Sequence, residues 1–400
     1  MQKPELLAPA GDWECLVASL RFGADAVYIG GELLQLRAEK AAFSREEIVQ
    51  AAALTHEKGK KLYVTVNSFP KNEELEPLRE YAQFLYDAGV DAVIVSDLGA
   101  ISVIKDSVPD LPIHVSTQAN CCNWASADVY YRMGAQRIVL AREMSLSEIA
   151  QLREKVPQQL ELEAFVHGAM CMAYSGRCLL SSFMNGRSGN RGECTQPCRW
   201  SYYLMEQKRE GEFFPIEEGE RATAILSSHD LNCLSFLPEL QKAGIVSFKI
   251  EGRMKTANYV ATVVNAYRHA IDGDTPLPLL QREVESVSHR PFSSGFYFGK
   301  LVKNHNNDGQ YHADCRFAGV VVGQIAGGYL VQQRNLFRVG DLLERVTPGV
   351  IGQSFTVDAL ADNKGNAITA AKLVGQVVAV YTDTQLLVGD FLRLRIEKNG

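Results

Sequence analysis

The chain has 400 residues, of which 46% are hydrophobic and 22% charged, and its formal net charge is −6. This length predicts one large domain and one smaller one rather than a single small core. The acidic balance excludes a globally basic nucleic-acid-binding protein, so any such contact must depend on a local basic patch. The N-terminus lacks the apolar run of a signal peptide, and no stretch approaches about 18 uninterrupted apolar residues. We therefore expect a cytoplasmic protein that does not enter the membrane.

A repeated pattern in the first two thirds of the chain predicts alternating helices and strands. One glycine precedes each of five short apolar runs: Gly23, Gly59, Gly89, Gly134 and Gly244. Glycine accepts the left-handed conformation that ends a helix, and a continuous apolar run suits a buried parallel strand. Three more runs begin at Glu5, Ile113 and Leu162. Eight strands with intervening helices predict an α/β fold of the TIM-type (β/α)₈ barrel class rather than an open, doubly wound sheet.

A long insert separates the last two predicted strands. The seventh strand ends near His167 and the eighth begins near Val246, and we place a Cys-rich insert at 168–240. It contains five of the nine cysteines. Because barrel enzymes build their active sites from loops at the C-terminal ends of the strands, we expect this insert to be functional.

The pattern changes after Gly273. Residues 276–312 are predicted to be an ordered connector, and from Cys315 onward short alternating strands are separated by turn residues. Such spacing predicts a small C-terminal antiparallel β-barrel. The predicted domains are therefore the barrel at 1–275, the connector at 276–312 and the small β-barrel at 313–400.

Four cysteines in the insert form a candidate metal site. They are separated by six, fifteen and three residues: Cys171, Cys178, Cys194 and Cys198. Four soft thiolates indicate zinc or an iron–sulfur cluster, and a reducing compartment disfavours disulfides. Structural zinc sites usually contain a tight CxxC pair, which is absent, so the spacing favours iron–sulfur. Zinc and unliganded buried cysteines remain the alternatives.

The remaining cysteines are interpreted mainly as core residues. Cys233 is predicted to be a helical core residue, with a fifth ligand as the alternative. The others lie in apolar helix or strand patterns and are predicted to be small buried hydrophobes: Cys15, Cys121, Cys122 and Cys315.

Polar residues follow several predicted strands and should line the mouth of the barrel. Arg142 and Arg253 could hold an anionic small molecule, with Gln118 and Asn67 beside them. His167 and Glu251 could carry protons as catalytic residues. The alternative is that the neighbouring pairs, Arg142 with Glu143 and Glu251 with Arg253, only neutralise each other.

Arginines and aromatic residues are interleaved in the insert. They are Arg177, Arg187, Arg191, Arg199, Trp200, Tyr202 and Tyr203. This composition is typical of a surface for single-stranded RNA, and also of a solvated loop around a negatively charged cluster. No GxSxG, HExxH or Walker motif is found, so hydrolysis has no candidate nucleophile.

The segment from Glu163 to Ser181, EAFVHGAMCMAYSGRCLLS, resembles the signature of the peptidase U32 (collagenase-like) family. The blocks that begin at Pro4, Gly23, Gly192 and Phe248 are similar to other parts of that family. The resemblance covers almost the whole chain. It implies a 4Fe-4S cluster whose ligands fall on the four insert cysteines, and a C-terminal module akin to small barrels of translation factors.

What the resemblance implies is mostly not proteolysis. The better understood branches hydroxylate a tRNA wobble uridine, a 23S ribosomal RNA cytidine or ubiquinone precursors without oxygen, and the RNA branches depend on prephenate. The stretch from Ala119 to Trp124 is similar to the tRNA branch. We therefore expect an iron–sulfur enzyme that converts wobble uridine to 5-hydroxyuridine. Its partners would be tRNA, prephenate or a similar carboxylate, and an electron donor.

Three alternatives stay open at this point. The first is a U32-type peptidase or collagenase. The second is hydroxylation of ribosomal RNA or of a quinone precursor. The third is a non-catalytic RNA-binding protein in which the cluster is structural.

Overall fold

The computed structural model describes residues 3–36, 42–171, 173–200, 203–204, 214–215, 229–299 and 311–396. The chain forms two compact units. The first comprises Met1–Leu20, Ala24–Lys255 and Arg290–Tyr311, and the second comprises Arg21–Gly23, Thr256–His289 and His312–Gly400. The predicted domain boundaries at 275 and 312 stay predictions.

Eight parallel strands form the barrel of the first unit. Seven of them are consecutive: β1 (Glu5–Pro9), β2 (Ala26–Gly30), β3 (Lys61–Val66), β4 (Ala92–Val95), β5 (Ile113–Val115), β6 (Ala135–Val139) and β7 (Glu161–Ala169). Three short strands come next: β8 (Tyr203–Leu204), β9 (Phe214–Pro215) and β10 (Asp230–Asn232). The eighth barrel strand is β11 (Ser247–Ile250). Each barrel strand pairs with the next, and β11 pairs with both β7 and β1, which closes the barrel.

Helices alternate with these strands. They are α1 (Trp13–Arg21), α2 (Arg45–Glu57), α3 (Asn72–Asp87), α4 (Leu98–Ser107), α5 (Trp124–Arg132), α6 (Leu146–Lys155), α7 (Leu180–Asn185) and α8 (Leu237–Lys242). Ser44 and Glu47 form a capping box at the start of α2, and Ser145 and Glu148 form another at α6. The five glycines predicted to end helices all have positive φ. The TIM-type barrel predicted from the apolar runs is confirmed.

The strands bury both of their faces, as parallel barrel strands do. One buried cluster combines four aliphatic residues with two tyrosines: Leu7, Ala26, Tyr28, Tyr63, Ala92 and Ile94. Outside the strands, three short 3₁₀ helices lie at Thr117–Ala119, Gly189–Arg191 and Pro197–Arg199. The first follows β5, and the other two lie in the insert.

The chain returns to the barrel after residue 289. Strand β10 pairs antiparallel with the end of β7, and β12 (Phe292–Ser293) pairs with β10. Arg290 donates to Asp230 at 2.8 Å, and both side chains are 1% exposed. The Tyr297 hydroxyl donates to the Phe165 carbonyl oxygen at 2.6 Å. Residues 290–299 are therefore fixed against the C-terminal end of β7.

The second unit contains helices α9 (Ala257–Asp272) and α10 (Leu277–Glu285) and a group of antiparallel strands. The strands are β13 (Cys315–Ile325), β14 (Gly328–Gln333), β15 (Phe337–Arg338), β16 (Leu342–Thr347), β17 (Val350–Thr356), β18 (Ala359–Ala361), β19 (Ala367–Ile368), β20 (Ala370–Ala371), β21 (Val377–Tyr381) and β22 (Phe391–Arg395). Eight of them form one sheet in the order β17-β16-β22-β13-β14-β21-β18-β19. The predicted antiparallel β domain is thereby confirmed.

Among the residues that the structure describes, no helix combines the length and the apolar character needed to cross a membrane. The expected cytoplasmic location stays a prediction.

Candidate functional site

Residues 167–169, at the end of β7, bring three of the predicted mouth residues together. The Glu251 backbone N–H donates to the His167 carbonyl oxygen at 2.9 Å. A carboxylate oxygen of Glu251 then accepts the Ala169 N–H at 3.2 Å. Arg142 donates to the Ala169 carbonyl oxygen at 2.6 Å. The residues after β6 and β11 thus place a guanidinium and a carboxylate on one short segment, which includes His167.

Gly168 makes this close approach of two strands possible. Its φ is +104°, and a Cβ atom at this position would lie 2.5 Å from the Glu251 carbonyl oxygen. Real Cβ contacts are not that short, so only glycine fits. The His167 side chain is 1% exposed, and its ring centroid lies 5.5 Å from that of Phe292. The imidazole is therefore held inside the protein rather than in the solvent.

Arg142 lies over an aromatic ring. Its guanidinium carbon is 3.8 Å from the centroid of Phe165, which is a cation–π contact in addition to the bond with Ala169. Lys249 lies 5.6 Å from the same ring. Phe165 therefore has two cations near it, and the positive charge at this end of β6 and β7 is fixed in position.

Arg253 is 7% exposed, and its described partners lie within the barrel unit. It donates to the Thr65 hydroxyl at 2.5 Å and contacts the Gln35 side-chain oxygen and the Leu36 carbonyl oxygen. These contacts join β11 to β3 and to the loop after β2. The neighbouring Asn67 amide donates to the Ser116 hydroxyl at 3.5 Å, and that hydroxyl accepts the Gln118 N–H at 3.2 Å.

The first part of the Cys-rich insert is attached to the strand ends through Glu143. This carboxylate accepts the Ser175 N–H at 2.8 Å and the Ser175 hydroxyl at 3.2 Å. Next to it, a Cβ atom at Gly176 would lie 2.0 Å from the Gln118 carbonyl oxygen. The turn between Cys171 and Cys178 therefore lies directly on the residues that follow β5 and β6.

The later part of the insert is attached at a second place. Arg191 donates to the Phe69 carbonyl oxygen at 2.7 Å and to both carboxylate oxygens of Glu74 at 3.0 Å. This contact holds the pKa of the Glu74 carboxyl below its usual value, chiefly through the hydrogen bond from Arg191. Two anchors thus fix the insert to the barrel, one between Cys171 and Cys178 and the other between Cys178 and Cys194.

The four candidate ligand cysteines are more exposed than the cysteines of the core. Cys171 is exposed, and Cys178, Cys194 and Cys198 are half-buried. The Gln196 N–H donates to the Cys194 sulfur at 3.4 Å, a bond that favours a thiolate. Across the described ranges, no group of three or more His, Cys, Asp or Glu side chains is close enough to hold a metal ion. The donor set has the chemistry of a soft-metal site, and the four sulfurs are not gathered at one point.

The cysteines outside the insert's four are mostly buried. Cys15, Cys121, Cys233 and Cys315 are buried, whereas Cys122 is half-buried, which corrects the prediction for that residue. Cys233 is part of the core, as predicted. It does not lie in a helix: it follows β10 directly, and its N–H donates to the carbonyl oxygen of Val166 in β7. Burial raises the pKa of the Cys15 and Cys121 thiols to about 12 and that of Cys315 to about 11.

The barrel interior contains a separate group of charges. Glu163 is fully buried and accepts bonds from Lys249 at 2.9 Å and from Arg137 at 3.0 Å. Arg137 also donates to Glu5 at 2.5 Å, and Ser247 donates to Glu163 at 3.0 Å. Burial alone would raise the pKa of the Glu163 carboxyl. The positive charges of Lys249 and Arg137 have the larger effect and hold this pKa below its usual value.

Sequence reasoning did not single out Phe165, Ser175 or Tyr297. Phe165 belongs to an apolar run and reads as core, and a serine has no pattern that predicts a carboxylate partner. The arginine–aromatic residues of the insert are only partly described. Tyr202 and the side chains of Arg199 and Tyr203 lie outside the described residues. The roles assigned to the candidate catalytic, binding and metal residues stay predictions.

Comparison with known proteins identifies the family. Residues 11–307 match the model for peptidase family U32, and residues 313–393 match the model for the U32 C-terminal domain. The chain is 37% identical to "tRNA hydroxylation protein P1" of Bacillus subtilis, over 98% of this chain and 95% of the relative. It is 36% identical to "tRNA hydroxylation protein P" of Escherichia coli, over 94% of this chain and 93% of the relative.

A third relative has a different description. The chain is 38% identical to an "uncharacterized protease" of Methanocaldococcus jannaschii, over 81% of each chain. The family resemblance that rested on the cysteine block is confirmed by the match of both family models. This chain belongs to peptidase family U32.

Proposed function

We propose that this protein is an RNA-modifying enzyme that hydroxylates wobble uridine in tRNA to 5-hydroxyuridine without molecular oxygen. The observation that carries the proposal is the similarity to two tRNA hydroxylation proteins over more than nine tenths of the chain, including the insert. The similarity also includes the second unit, whose residues 313–393 match the U32 C-terminal domain.

The proposed cofactor is a 4Fe-4S cluster held by Cys171, Cys178, Cys194 and Cys198. Their thiols are accessible, whereas the thiols buried in the core have raised pKa values and poor ligand chemistry. The N–H bond to Cys194 supports a thiolate there. When bound, the cluster would supply redox or Lewis-acid chemistry at the mouth of the barrel.

The proposed co-substrate is prephenate or a similar carboxylate. Replacing the C5 hydrogen of uridine by a hydroxyl is a two-electron oxidation that also needs an oxygen atom. In this proposal the co-substrate donates its hydroxyl oxygen and accepts the two electrons, so that it leaves as a reduced product. Arg142 is the best candidate to bind its carboxylate, because this half-buried guanidinium is fixed by Ala169 and Phe165 at the strand ends. Arg253 is buried against Thr65 and the loop at 35–36, and it would position β3 and that loop at the barrel mouth.

His167 and Glu251 are the proposed proton carriers. A backbone bond from the Glu251 N–H to the His167 carbonyl oxygen brings the two residues to the same strand ends. The Glu251 carboxylate accepts the N–H of Ala169, the residue whose carbonyl oxygen accepts from Arg142. In this position the Glu251 carboxylate, or the His167 imidazole, would accept the proton that leaves C5 of the uridine.

The direct test measures 5-hydroxyuridine in tRNA from a host strain that lacks the gene. We expect the nucleoside to disappear and to return when the intact gene, or a Cys122→Ala control, is restored. Cys171→Ala and Cys198→Ala should not restore it. Anaerobically purified protein should contain about four irons and four sulfides per chain, and both of these variants should lose them. Unchanged tRNA in the deletion strain would refute the proposal.

A peptidase is the second candidate, because one relative is described as a protease. It would cleave gelatin or peptides, and that activity would be lost through one point substitution. Cleavage that persists in every cysteine and Arg142 variant would instead indicate a contaminating enzyme. If Arg142→Ala leaves tRNA modification intact while the cysteine variants unfold the insert, the cluster has a structural role.

A further inference from the structure

Apolar side chains are exposed on the Cys-rich insert. Phe183 is 90% exposed, Leu179 is 72% exposed and Tyr174 is 63% exposed. Within the described part of the chain, no other large hydrophobic side chain is as exposed as Phe183. Single exposed hydrophobic residues are ordinary on a protein surface, but a group within ten residues indicates a binding surface.

Phe183 is displayed by a fixed scaffold. Thr195 donates its N–H to the Ser181 hydroxyl at 3.1 Å, and the Asn185 amide donates to the Thr195 hydroxyl at 2.9 Å. Helix α7 is therefore tied to the segment between Cys194 and Cys198. Leu179 and Phe183 are four residues apart, with a bond from the Phe183 N–H to the Leu179 carbonyl oxygen, so they lie on one face.

The charge around these side chains is positive, although the whole chain has a net charge of −6. Residues 171–200 contain four arginines and one glutamate. Arg191 binds Glu74, and the side chains of Arg177 and Arg187 are exposed to the solvent. An apolar, aromatic surface with a local positive charge fits an anionic partner that also has flat apolar faces.

We infer that Tyr174 and Phe183, with Arg177 and Arg187, form a stacking surface for unpaired nucleotides of an RNA. Bases would stack on the two rings, and the guanidinium groups would contact the phosphates. The inference rests on the proposed function and deepens it, because it names the part of the chain that recognises the loop of the tRNA.

The position of Tyr174 supports this assignment. Ser175, the next residue, is bound to Glu143, and Gly176 lies against the Gln118 carbonyl oxygen, so Tyr174 stands at the rim of the barrel mouth. An enzyme that acts on a base must separate that base from its neighbours in the stack. The Tyr174 ring at the rim would hold a flanking base while the target base enters the mouth, and Phe183 would stack on another unpaired base of the loop.

The test measures the affinity of the full-length protein for two RNAs at several salt concentrations. One is a tRNA anticodon stem–loop, and the other is a fully paired duplex of the same length. Phe183→Ala and Tyr174→Ala should each weaken binding of the stem–loop by about 10- to 100-fold. Phe183→Trp keeps an aromatic ring at this position and should bind the stem–loop as tightly as the intact protein. Arg177→Gln should reduce the salt slope by about one. Tyr86→Ala, an exposed aromatic change on α3, is the matched control and should have no effect.

The outcomes separate this inference from the proposed function. If the intact protein binds and modifies tRNA and the Phe183 and Tyr174 variants do the same, the stacking surface is refuted and the function stands. If stem–loop binding depends on Phe183 but no 5-hydroxyuridine forms, the function fails and the surface stands. If the intact protein is a dimer and Phe183→Ala makes it a monomer without changing RNA affinity, the face is an interface between copies, and the inference is refuted.

Discussion

The barrel interior and the Cys-rich insert both concentrate ionisable side chains, but they hold them in opposite ways. In the interior, Glu163 is fully buried and is neutralised by Lys249 and Arg137. In the insert, Arg177, Arg187 and Cys171 face the solvent. Charge density alone therefore does not identify a functional site. The interior charges bind mainly one another and hold the barrel strands together, whereas the exposed charges of the insert are accessible to a ligand.

The largest expected effect comes from breaking the interior group. Glu163→Ala leaves Lys249 and Arg137 buried without this carboxylate and should lower the free energy of unfolding by about 3–5 kcal/mol. Urea denaturation followed by circular dichroism measures the change. A loss below about 1 kcal/mol would contradict the view that the interior charges are structural.

The second prediction concerns the contact between the insert and the barrel. Gly176→Ala places a methyl group on the Gln118 carbonyl oxygen and adds the left-handed strain of φ +72°. Gly186→Ala is the matched control, because its φ is +68° and nothing lies within 4 Å of the added atom. Both should lose about 1–3 kcal/mol of local stability from strain, and only Gly176→Ala should displace the turn between Cys171 and Cys178. Trypsin cleavage near Arg177 measures that displacement, and equal cleavage in the two variants would argue against it.

The third prediction compares the two groups of thiols. In metal-free protein at pH 8, iodoacetamide should label Cys171, Cys178, Cys194 and Cys198, and it should leave the buried Cys15, Cys121, Cys233 and Cys315 unlabelled. Peptide mass spectrometry measures the labelling of each site. Native labelling of Cys15 as fast as that of Cys171 would show that the buried thiols open to solvent.

The same thiols predict a dependence of stability on pH. The folded protein keeps the buried thiols protonated, with pKa values raised from 9.0 to about 12 for Cys15 and Cys121. Their contribution is complete below pH 9 and is lost as the pH rises from about 9 to about 12. Cys15→Ala and Cys121→Ala together should flatten the fall of unfolding free energy in that window.

The smallest expected effect is at the outer anchor of the insert. Glu74→Gln removes a partly exposed ion pair with Arg191 and should cost about 0–1 kcal/mol. The pKa of Glu74 is lowered in the folded protein. This contribution is therefore complete above the usual carboxyl pKa and is lost as the pH falls from that value through the lowered pKa. Thermal unfolding at pH 7 and pH 3 measures the difference, and a large loss at pH 3 as well would point to packing instead of charge.

Most of the barrel could be predicted from the sequence because its signal is local. Each of the eight strands contains an apolar run, and in five cases the preceding glycine has the positive φ that ends a helix. The return of residues 290–299 to β7 could not be predicted. It depends on single contacts such as Tyr297 to Phe165, which are 132 residues apart and leave no periodic pattern.

The candidate site was predicted at the level of residue types rather than partners. The residues after β3, β5, β6 and β11 were expected at one mouth, and the structure joins several of them through Ser116 and through residues 167–169. The sequence could not show that Arg253 is buried against Thr65 or that Glu143 binds Ser175. Partner choice among buried polar groups depends on distances of a few ångströms, which only the folded chain defines.

The bonds between Glu143 and Ser175 also make the folding of the insert depend on the folding of the barrel. The turn that presents Cys171 and Cys178 is shaped by residues after β5 and β6, so it acquires its conformation only when those strands are in place. Strands β5 and β6 precede these cysteines in the chain, so both strands are already synthesised when Cys171 emerges from the ribosome. Loading of the proposed cluster would then depend on correct folding of β5 and β6, and a chain in which these strands are misfolded would stay unloaded.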